Sequence, residues 1–183
     1  LVSQVWNIQK PVSILDCGCG YGFLGLLLFP VMPQGSTYTG IDFAENLLRE
    51  GKQLFAKQNL AADFICKNVY EHSAESQYDF VICQAVLRHL DNPDAFIRKM
   101  VSFAKPGGYV VCMDMNREFE SCGLYVDGMD YRKLCRHEGL EKKWQTEALL
   151  QGRDYSVAIK AAHILERLGL GDVDVRMNDR VEF

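Results

Sequence analysis

The chain has 183 residues, of which 48% are hydrophobic and 24% charged, a balance that fits one globular domain and excludes a disordered or collagen-like chain. Its 20 basic and 24 acidic residues give a formal net charge of −4, so it lacks the broad positive surface used in non-specific nucleic-acid binding, and we expect no nucleic-acid partner. The longest apolar stretch, 23–32, is interrupted by Pro30 and is too short to cross a bilayer, so no membrane span is predicted.

The first part of the chain alternates between strand-like and helix-like patterns. Val12 to Asp16 is a short apolar run that ends in a carboxylate, and a glycine-rich turn and an apolar helix from Phe23 to Phe29 follow it. Ser36 to Asp42 is rich in β-forming residues and also ends in Asp. The helix predicted after it carries its leucines and a phenylalanine on one face.

Three further strands are predicted, over Asp63–Asn68, Tyr78–Gln84 and Tyr109–Met115. A helix begins near Pro93 and runs to about Ala104, and the turn residues 105–108 separate it from the last of these strands. Strands separated by helices indicate right-handed βαβ units. The predicted fold is therefore α/β, a doubly wound, mainly parallel Rossmann-like sheet with helices on both faces.

The chain is expected to form a single domain over 1–183, with residues 1–115 as a cofactor-binding core. Residues 116–168 are predicted to form a helical insertion or lid after the fifth strand, and Asp154 is expected to cap its last helix, which Gly169 ends. Residues 172–177 alternate like a strand. We expect 169–183 to hold a returning strand that the chain carries only in part.

The seven cysteines are an odd number, so they cannot all pair within the chain. Most lie inside apolar runs, where they behave as small buried hydrophobic residues in a reducing compartment, and we expect a cytoplasmic protein. Cys17 and Cys19 form one close pair, but no second Cys or His pair lies at zinc-finger spacing, so no metal site is predicted.

The glycine-rich turn is the first candidate for a binding site. Glycines at 18, 20 and 22 follow the first strand at every second position, which allows positive φ angles and a close approach of a ligand to the backbone. Asp42 ends the next strand, where a carboxylate can accept both hydroxyls of a ribose. Together these features predict a ligand that contains adenosine.

Two classes of adenosine cofactor fit this turn. Residues 20–25 match the pattern G-x-G-x-x-G of dinucleotide-binding folds, which leaves a nicotinamide-dependent oxidoreductase as an alternative. However, a pyrophosphate turn begins directly after its strand, whereas here an Asp and two further loop residues precede Gly20. A Tyr-Lys or His constellation suited to hydride transfer is not found at a usable spacing either.

Four segments taken together resemble the class I S-adenosylmethionine-dependent methyltransferases: ILDCGCGYGFLG, GIDFAENLL, QYDFVICQAVLRHLDNP and FAKPGGYVV. They cover residues 12–115 in the order and spacing of that family, and they are most similar to small-molecule enzymes such as the ubiquinone and menaquinone biosynthesis methyltransferases. The resemblance implies S-adenosyl-L-methionine as cofactor and S-adenosyl-L-homocysteine as product. It implies methyl transfer to O, N or C of a small-molecule acceptor by in-line displacement; a non-catalytic relative that binds the cofactor is the alternative.

The resemblance also implies roles for individual residues. The implied cofactor-binding residues are Asp16, Cys17, Gly18, Gly20 and Gly22 in the turn, Asp42 at the ribose, Phe43, Asn68 and Val69 near the adenine, and Gln84 and Ala85 near the sulfonium. His89 is the candidate catalytic base. Other roles stay open: Asp42 as a helix cap, Asn68 as a turn residue, and His89 as a packing or capping residue.

Motifs that the sequence lacks restrict the possible classes of methyl acceptor. The fourth strand ends in QAVL rather than in Asn/Asp-Pro-Pro-Tyr, which disfavours methylation of an adenine or a glutamine amide. The chain has no Pro-Cys pair, which cytosine-carbon methylation uses, and no Glu between Gln84 and Cys112 that could hold a guanidinium. A small metabolite is therefore the expected acceptor.

Overall fold

The computed structural model describes residues 6–74, 77–115, 128, 138–152, 154 and 156–176. Five strands of this part form one sheet: β1 (Ser13–Cys17), β2 (Thr37–Asp42), β3 (Asp63–Cys66), β4 (Tyr78–Gln84) and β5 (Ala104–Met113). The helices described are α1 (Phe23–Leu28), α2 (Glu45–Lys57), α3 (Pro93–Phe103), α4 (Glu138–Gln151) and α5 (Val157–Arg167).

The sheet has the strand order β3-β2-β1-β4-β5, and all its neighbouring strands are parallel. The predicted doubly wound α/β fold is confirmed. The order reverses at β1, because β2 lies on one side of it and β4 on the other. In sheets of this type ligands bind outside the carboxyl ends of the strands at such a reversal. The turn after β1 is therefore the expected binding position.

The two faces of the sheet are covered by different helices. Leu15 and Val81 point to one face and pack with residues of α3 and α5, while Ile14 and Ile82 point to the other and pack with α1 and α2. Alternate residues of β1 therefore enter two separate hydrophobic clusters, which explains why the run from Val12 onward is apolar at nearly every position.

A polar cluster joins the amino ends of three strands, at the edge opposite the glycine turn. The Asp79 carboxylate on β4 accepts hydrogen bonds from the Ser13 backbone N at 2.8 Å, the Ser13 Oγ at 2.7 Å and the Lys105 Nζ at 2.9 Å. Ser13 lies on β1 and Lys105 on β5. These contacts stabilise the register of the central strands.

The fifth strand differs from its prediction. It begins at Ala104, which pairs with Tyr78, and the next pair is Phe80 with Tyr109, so residues 105–108 bulge out of the strand. The turn predicted at 105–108 is therefore wrong: these residues belong to the strand and form a bulge in which Gly107 adopts a φ of +77°. The strand ends at Met113, two residues before its predicted end.

Two helices follow within the segment predicted as an insertion or lid. The helix α5 packs Val157, Ala161 and Ile164 against the cluster under α3, and it ends before Gly169, whose φ of +83° provides the predicted stop. Residues 116–127 and 129–137 lie outside the described residues. The covering role of the segment stays a prediction.

The strand predicted over 172–177 is wrong for residues 172–176, which form no strand. Val173 packs against the cluster under α3, and this contact explains the apolar position in the alternating pattern without a strand partner. A period of two indicates a strand only where a neighbour supplies ladder hydrogen bonds. The expected returning strand over 177–183 lies outside the described part.

Candidate cofactor site

The turn after β1 is built from glycines in left-handed conformations. The φ angles of Gly18, Gly20 and Gly22 are +77°, +56° and +81°. A Cβ atom on Gly18 would lie 2.7 Å from the Val86 Cγ2, whereas a Cβ on Gly20 would meet no atom closer than 3.9 Å. The turn is therefore tightly packed at Gly18 and open at Gly20, where a ligand can approach the backbone.

Asp42 connects this turn to the next strand. Its Oδ2 accepts a hydrogen bond from the Gly20 backbone N at 2.8 Å, and its Oδ1 accepts one from the Ala44 backbone N at 2.9 Å, directly before α2. Asp42 therefore lies at the predicted binding position and also accepts a hydrogen bond just before α2, as its alternative role requires. Each carboxylate oxygen has a second lone pair, so both can still accept a hydroxyl.

The residue after Asp42 exposes an aromatic ring. Phe43 is 81% exposed, the highest exposed fraction of any aromatic side chain in the described part. This exposed ring provides a flat apolar surface on which a planar base can stack.

The predicted adenine-edge residues are arranged as a turn. The Asn68 Oδ1 accepts a hydrogen bond from the Tyr70 backbone N at 3.1 Å and begins a short 3-10 turn over Val69–Glu71. The alternative role of Asn68 as a turn residue is therefore present, and its exposed NH2 group does not take part in that bond. The side chain of Val69 is buried in the core, so a ligand could meet only its backbone.

The end of β4 contains a strained residue that the sequence did not indicate. Gln84 is exposed, and Ala85 adopts a φ of +56° while its backbone N donates to the Met113 carbonyl at 2.8 Å. A left-handed conformation costs a non-glycine residue roughly 1–2 kcal/mol. Such strain is typical of binding and catalytic positions, and this one lies at the predicted sulfonium edge.

Asp16 is a buried acid with one hydrogen-bond donor. Its side chain is 2% exposed; the Tyr38 hydroxyl donates to its Oδ2 at 2.7 Å, and its Oδ1 has no hydrogen-bond partner. Burial raises the pKa of Asp16 from 3.8 to about 7, with the Tyr38 hydrogen bond opposing this rise and the negative charge of Asp42 adding to it. Cys17, the next residue, directs its side chain into the core.

After β4, the Arg88 side chain contacts both His89 and Asp114. The Arg88 Nε donates to the His89 Nε2 at 3.1 Å, and the Arg88 Nη1 lies 3.9 Å from the carboxylate of Asp114, which follows β5. A guanidinium cannot accept a hydrogen bond, so the His89 Nε2 must be unprotonated here. The lone pair that His89 would use as a base is therefore engaged by Arg88, and its catalytic role stays a prediction.

A cavity of about 450 Å³ lies elsewhere, beside α2 and β3, and contains none of the predicted site residues. Its walls are formed by Lys52, Phe55, Ala56, Leu60, Ala61, Ala62, Asp63 and Phe64. Ligands of this fold bind at the carboxyl ends of the strands, so the glycine turn stays the predicted cofactor site.

Within the residues that the structure describes, no three His, Cys, Asp or Glu side chains are grouped so that they could hold a metal ion. No helix of the described part is both long enough and apolar enough to cross a membrane.

The strand reversal, the open glycine turn and the carboxylate of Asp42 are the features expected of a doubly wound domain that binds a nucleoside. A family model described as a methyltransferase domain matches residues 8–163. The chain belongs to this methyltransferase family, and the resemblance drawn from its four sequence segments is confirmed.

A similar protein of known name is also a methyltransferase. The ubiquinone biosynthesis O-methyltransferase of Escherichia coli O139:H28 is 31% identical over 156 residues, which cover 83% of this chain and 64% of that protein. The chain thus spans somewhat less than two thirds of the length of that relative.

Solved structures show the same fold at low identity. Phosphoethanolamine N-methyltransferase 2 of Haemonchus contortus superposes with a TM-score of 0.67 at 15% identity, covering 93% of this chain and 36% of that one. Coclaurine N-methyltransferase superposes with a TM-score of 0.53 at 20% identity, covering 60% of this chain and 32% of that one.

Proposed function

We propose that the protein transfers a methyl group from S-adenosyl-L-methionine to an O, N or C atom of a small-molecule acceptor and leaves S-adenosyl-L-homocysteine. The observation that carries this proposal is the contact between the Gly20 amide and the Asp42 carboxylate, 2.8 Å apart at the edge of the sheet where ligands of this fold bind. Membership of the methyltransferase family supports it.

The residues at this edge fit the cofactor. Gly20 leaves room for a ligand against the backbone, Asp42 offers carboxylate oxygens to ribose hydroxyls, and the exposed ring of Phe43 offers a surface for adenine. The coclaurine and phosphoethanolamine methyltransferase structures contain S-adenosylhomocysteine, which supports the same cofactor class for this chain.

The chain's contribution to the reaction would be mainly positional. When bound, the cofactor supplies a methyl group already activated by its positive sulfur. The protein must hold the acceptor atom in line with that methyl, and positioning of this kind can lower a barrier by roughly 7–11 kcal/mol. The exposed Gln84 and the strained Ala85 at the end of β4 are the residues we assign to this edge.

His89 can act as a base only when its Nε2 is released from Arg88. Its Nε2 accepts from the Arg88 Nε, so this hydrogen bond has to break before Nε2 can take a proton from an acceptor. An acceptor that binds already deprotonated needs no base. The E. coli relative is named an O-methyltransferase, and we therefore propose hydroxyl acceptors as the first to test.

Calorimetric titration with S-adenosyl-L-homocysteine, in parallel with NADH, tests the cofactor. We expect the thioether to bind the wild type and NADH not to bind. Asp42→Ala should lose the binding, while Asp63→Ala, at an exposed carboxylate where β3 begins, should keep it. Binding of NADH alone would mean a pyrophosphate turn and an oxidoreductase.

A transfer assay then separates an enzyme from a binding protein. Radiolabelled S-adenosyl-L-methionine is incubated with a panel of phenols, amines and acidic carbon compounds, and label is followed into the acceptor. Transfer that Asp42→Ala abolishes supports the enzyme. Cofactor binding without transfer to any class would favour the non-catalytic relative.

A further inference from the structure

Two carboxylates at neighbouring strand ends are hydrogen-bonded unequally. Asp42 accepts from two backbone N–H groups, at Gly20 and Ala44. Asp16 accepts only from the Tyr38 hydroxyl, and its second oxygen is buried without a donor. Because an ionised carboxylate needs donors or solvent, the negative charge is far better accommodated on Asp42 than on Asp16.

Within the part of the chain that the structure describes, no cationic group lowers the pKa of Asp16. The titratable groups that interact electrostatically or by a hydrogen bond with the Asp16 carboxyl are neutral or acidic. They are Tyr38, Asp42, Cys17, Cys19 and Cys83. The packed helix α1, with the sequence FLGLLL, adds no titratable side chain. Burial and the charge of Asp42 raise the pKa of Asp16 to about 7 against the opposing Tyr38 bond, so the carboxyl is partly protonated near neutral pH.

We propose that Asp16 holds a proton in the free protein and releases it to solvent when the positively charged cofactor binds, so that the acid pair favours the methylated cofactor over its demethylated product. This inference rests on the proposed function, because it requires the cofactor to lie on the turn between the two acids. In the step the O–H bond of the Asp16 carboxyl breaks, and the proton passes to the buffer.

The charge of the two nucleosides explains the preference. At neutral pH S-adenosyl-L-methionine carries one more positive charge than S-adenosyl-L-homocysteine, since the product has lost the sulfonium. An ionised Asp16 beside Asp42 attracts the former more strongly, and a neutral Asp16 discriminates less. We expect the ratio of the two affinities to rise about three- to tenfold between pH 6 and pH 8, in favour of the methylated form.

The test is calorimetric titration of both nucleosides at pH 6.8 in two buffers that differ in ionisation enthalpy. The dependence of the measured heat on the buffer gives the protons released per cofactor bound. We expect more release with S-adenosyl-L-methionine than with the product, and Asp16→Asn should remove the Asp16 contribution. Titration of each nucleoside's own amino group is common to wild type and Asp16→Asn, so the comparison between them isolates Asp16.

A second variant uses the hydrogen bond of Tyr38. Tyr38→Phe keeps Asp16 but removes its donor, so more of the Asp16 population is protonated and proton release should increase at pH 7. If Asp16→Asn fails to fold, infrared spectroscopy of the wild type replaces it, since a protonated carboxyl has its own C=O band. Loss of that band on cofactor binding supports the proposal, and its persistence overturns it.

The outcomes separate the two proposals. Binding with equal proton release in wild type and Asp16→Asn overturns this inference but leaves the proposed function intact. Failure of both nucleosides to bind the folded wild type overturns the proposed function, and this inference with it.

Discussion

The Gly20 backbone N and the Asp42 Oδ2 lie 2.8 Å apart and join the turn after β1 to the end of β2. Asp42→Ala removes this acceptor and the one for the Ala44 N–H, so we expect it to lower the free energy of unfolding by roughly 2 kcal/mol. Thermal denaturation with S-adenosyl-L-homocysteine should also show a rise in Tm for the wild type that the variant lacks. The control Asp63→Ala should change neither, and equal ligand stabilisation in Asp42→Ala would remove Asp42 from the ribose site.

The cluster at the other edge of the sheet should make stability depend on pH. Burial acts to raise the pKa of Asp79, but the hydrogen bonds from Lys105 and Ser13 outweigh it and hold this pKa below its ordinary value of 3.8. The group therefore stabilises the fold above pH 3.8, and that contribution is lost as the pH falls through the lower folded pKa.

Asp79→Ala tests this linkage. We expect a loss of roughly 1–2 kcal/mol at pH 7 because two bonds from Ser13 and one from Lys105 disappear. Urea denaturation at pH 7 and at pH 3 should show the difference from wild type shrinking at the lower pH. Asp174→Ala, which breaks only an exposed pair with Arg176, is the control and should have little effect at either pH. A pH-independent loss would contradict the linkage.

The pair of Arg88 and Asp114 is expected to act as a unit. Their side chains are 15% and 1% exposed, so Arg88→Met would leave a carboxylate buried with only backbone donors. We expect a loss of about 3 kcal/mol in unfolding free energy, measured by urea denaturation. Arg98→Met on the exposed side of α3 should cost far less.

The double variant Arg88→Met with Asp114→Leu completes the test. Removing both charges should recover part of the loss, giving a coupling of about 1–3 kcal/mol in a double-mutant cycle. Additive losses would mean that the two side chains do not stabilise each other across their 3.9 Å separation.

The elements of the sheet could be predicted because each strand is an apolar run bounded by turn residues. Asp42 could be predicted to lie at the edge that holds the candidate site for a related reason: neighbouring strands of a parallel sheet bring their last residues to one edge. The hydrogen bond from Tyr38 to Asp16 could not be predicted, since it depends on the pairing of Asp16 with Gly40 across β1 and β2. Composition and periodicity do not report strand register.

Two other differences between the sequence prediction and the structure have tertiary causes. Residues 105–108 carry turn signals and do bulge, but only the partner strand decides that pairing begins at Ala104. Arg88 and His89 are neighbours in sequence, yet the ion pair with Asp114 depends on β4 and β5 ending side by side. Polar contacts of this kind are decided by tertiary structure, and a sequence pattern does not contain them.

The conformation of Ala85 could not be predicted from the sequence either. Alanine carries no turn signal, yet this residue adopts a φ of +56° at the end of β4. Ala85→Gly would relieve roughly 1–2 kcal/mol of left-handed strain and lose roughly 0.5–1 kcal/mol to the greater freedom of glycine in the unfolded chain. We therefore expect a net gain of about 0.5–1 kcal/mol in unfolding free energy, measured by urea denaturation. The matched change Ala162→Gly within α5 should instead cost about 1 kcal/mol, and a similar loss at Ala85 would mean that the conformation is not strained.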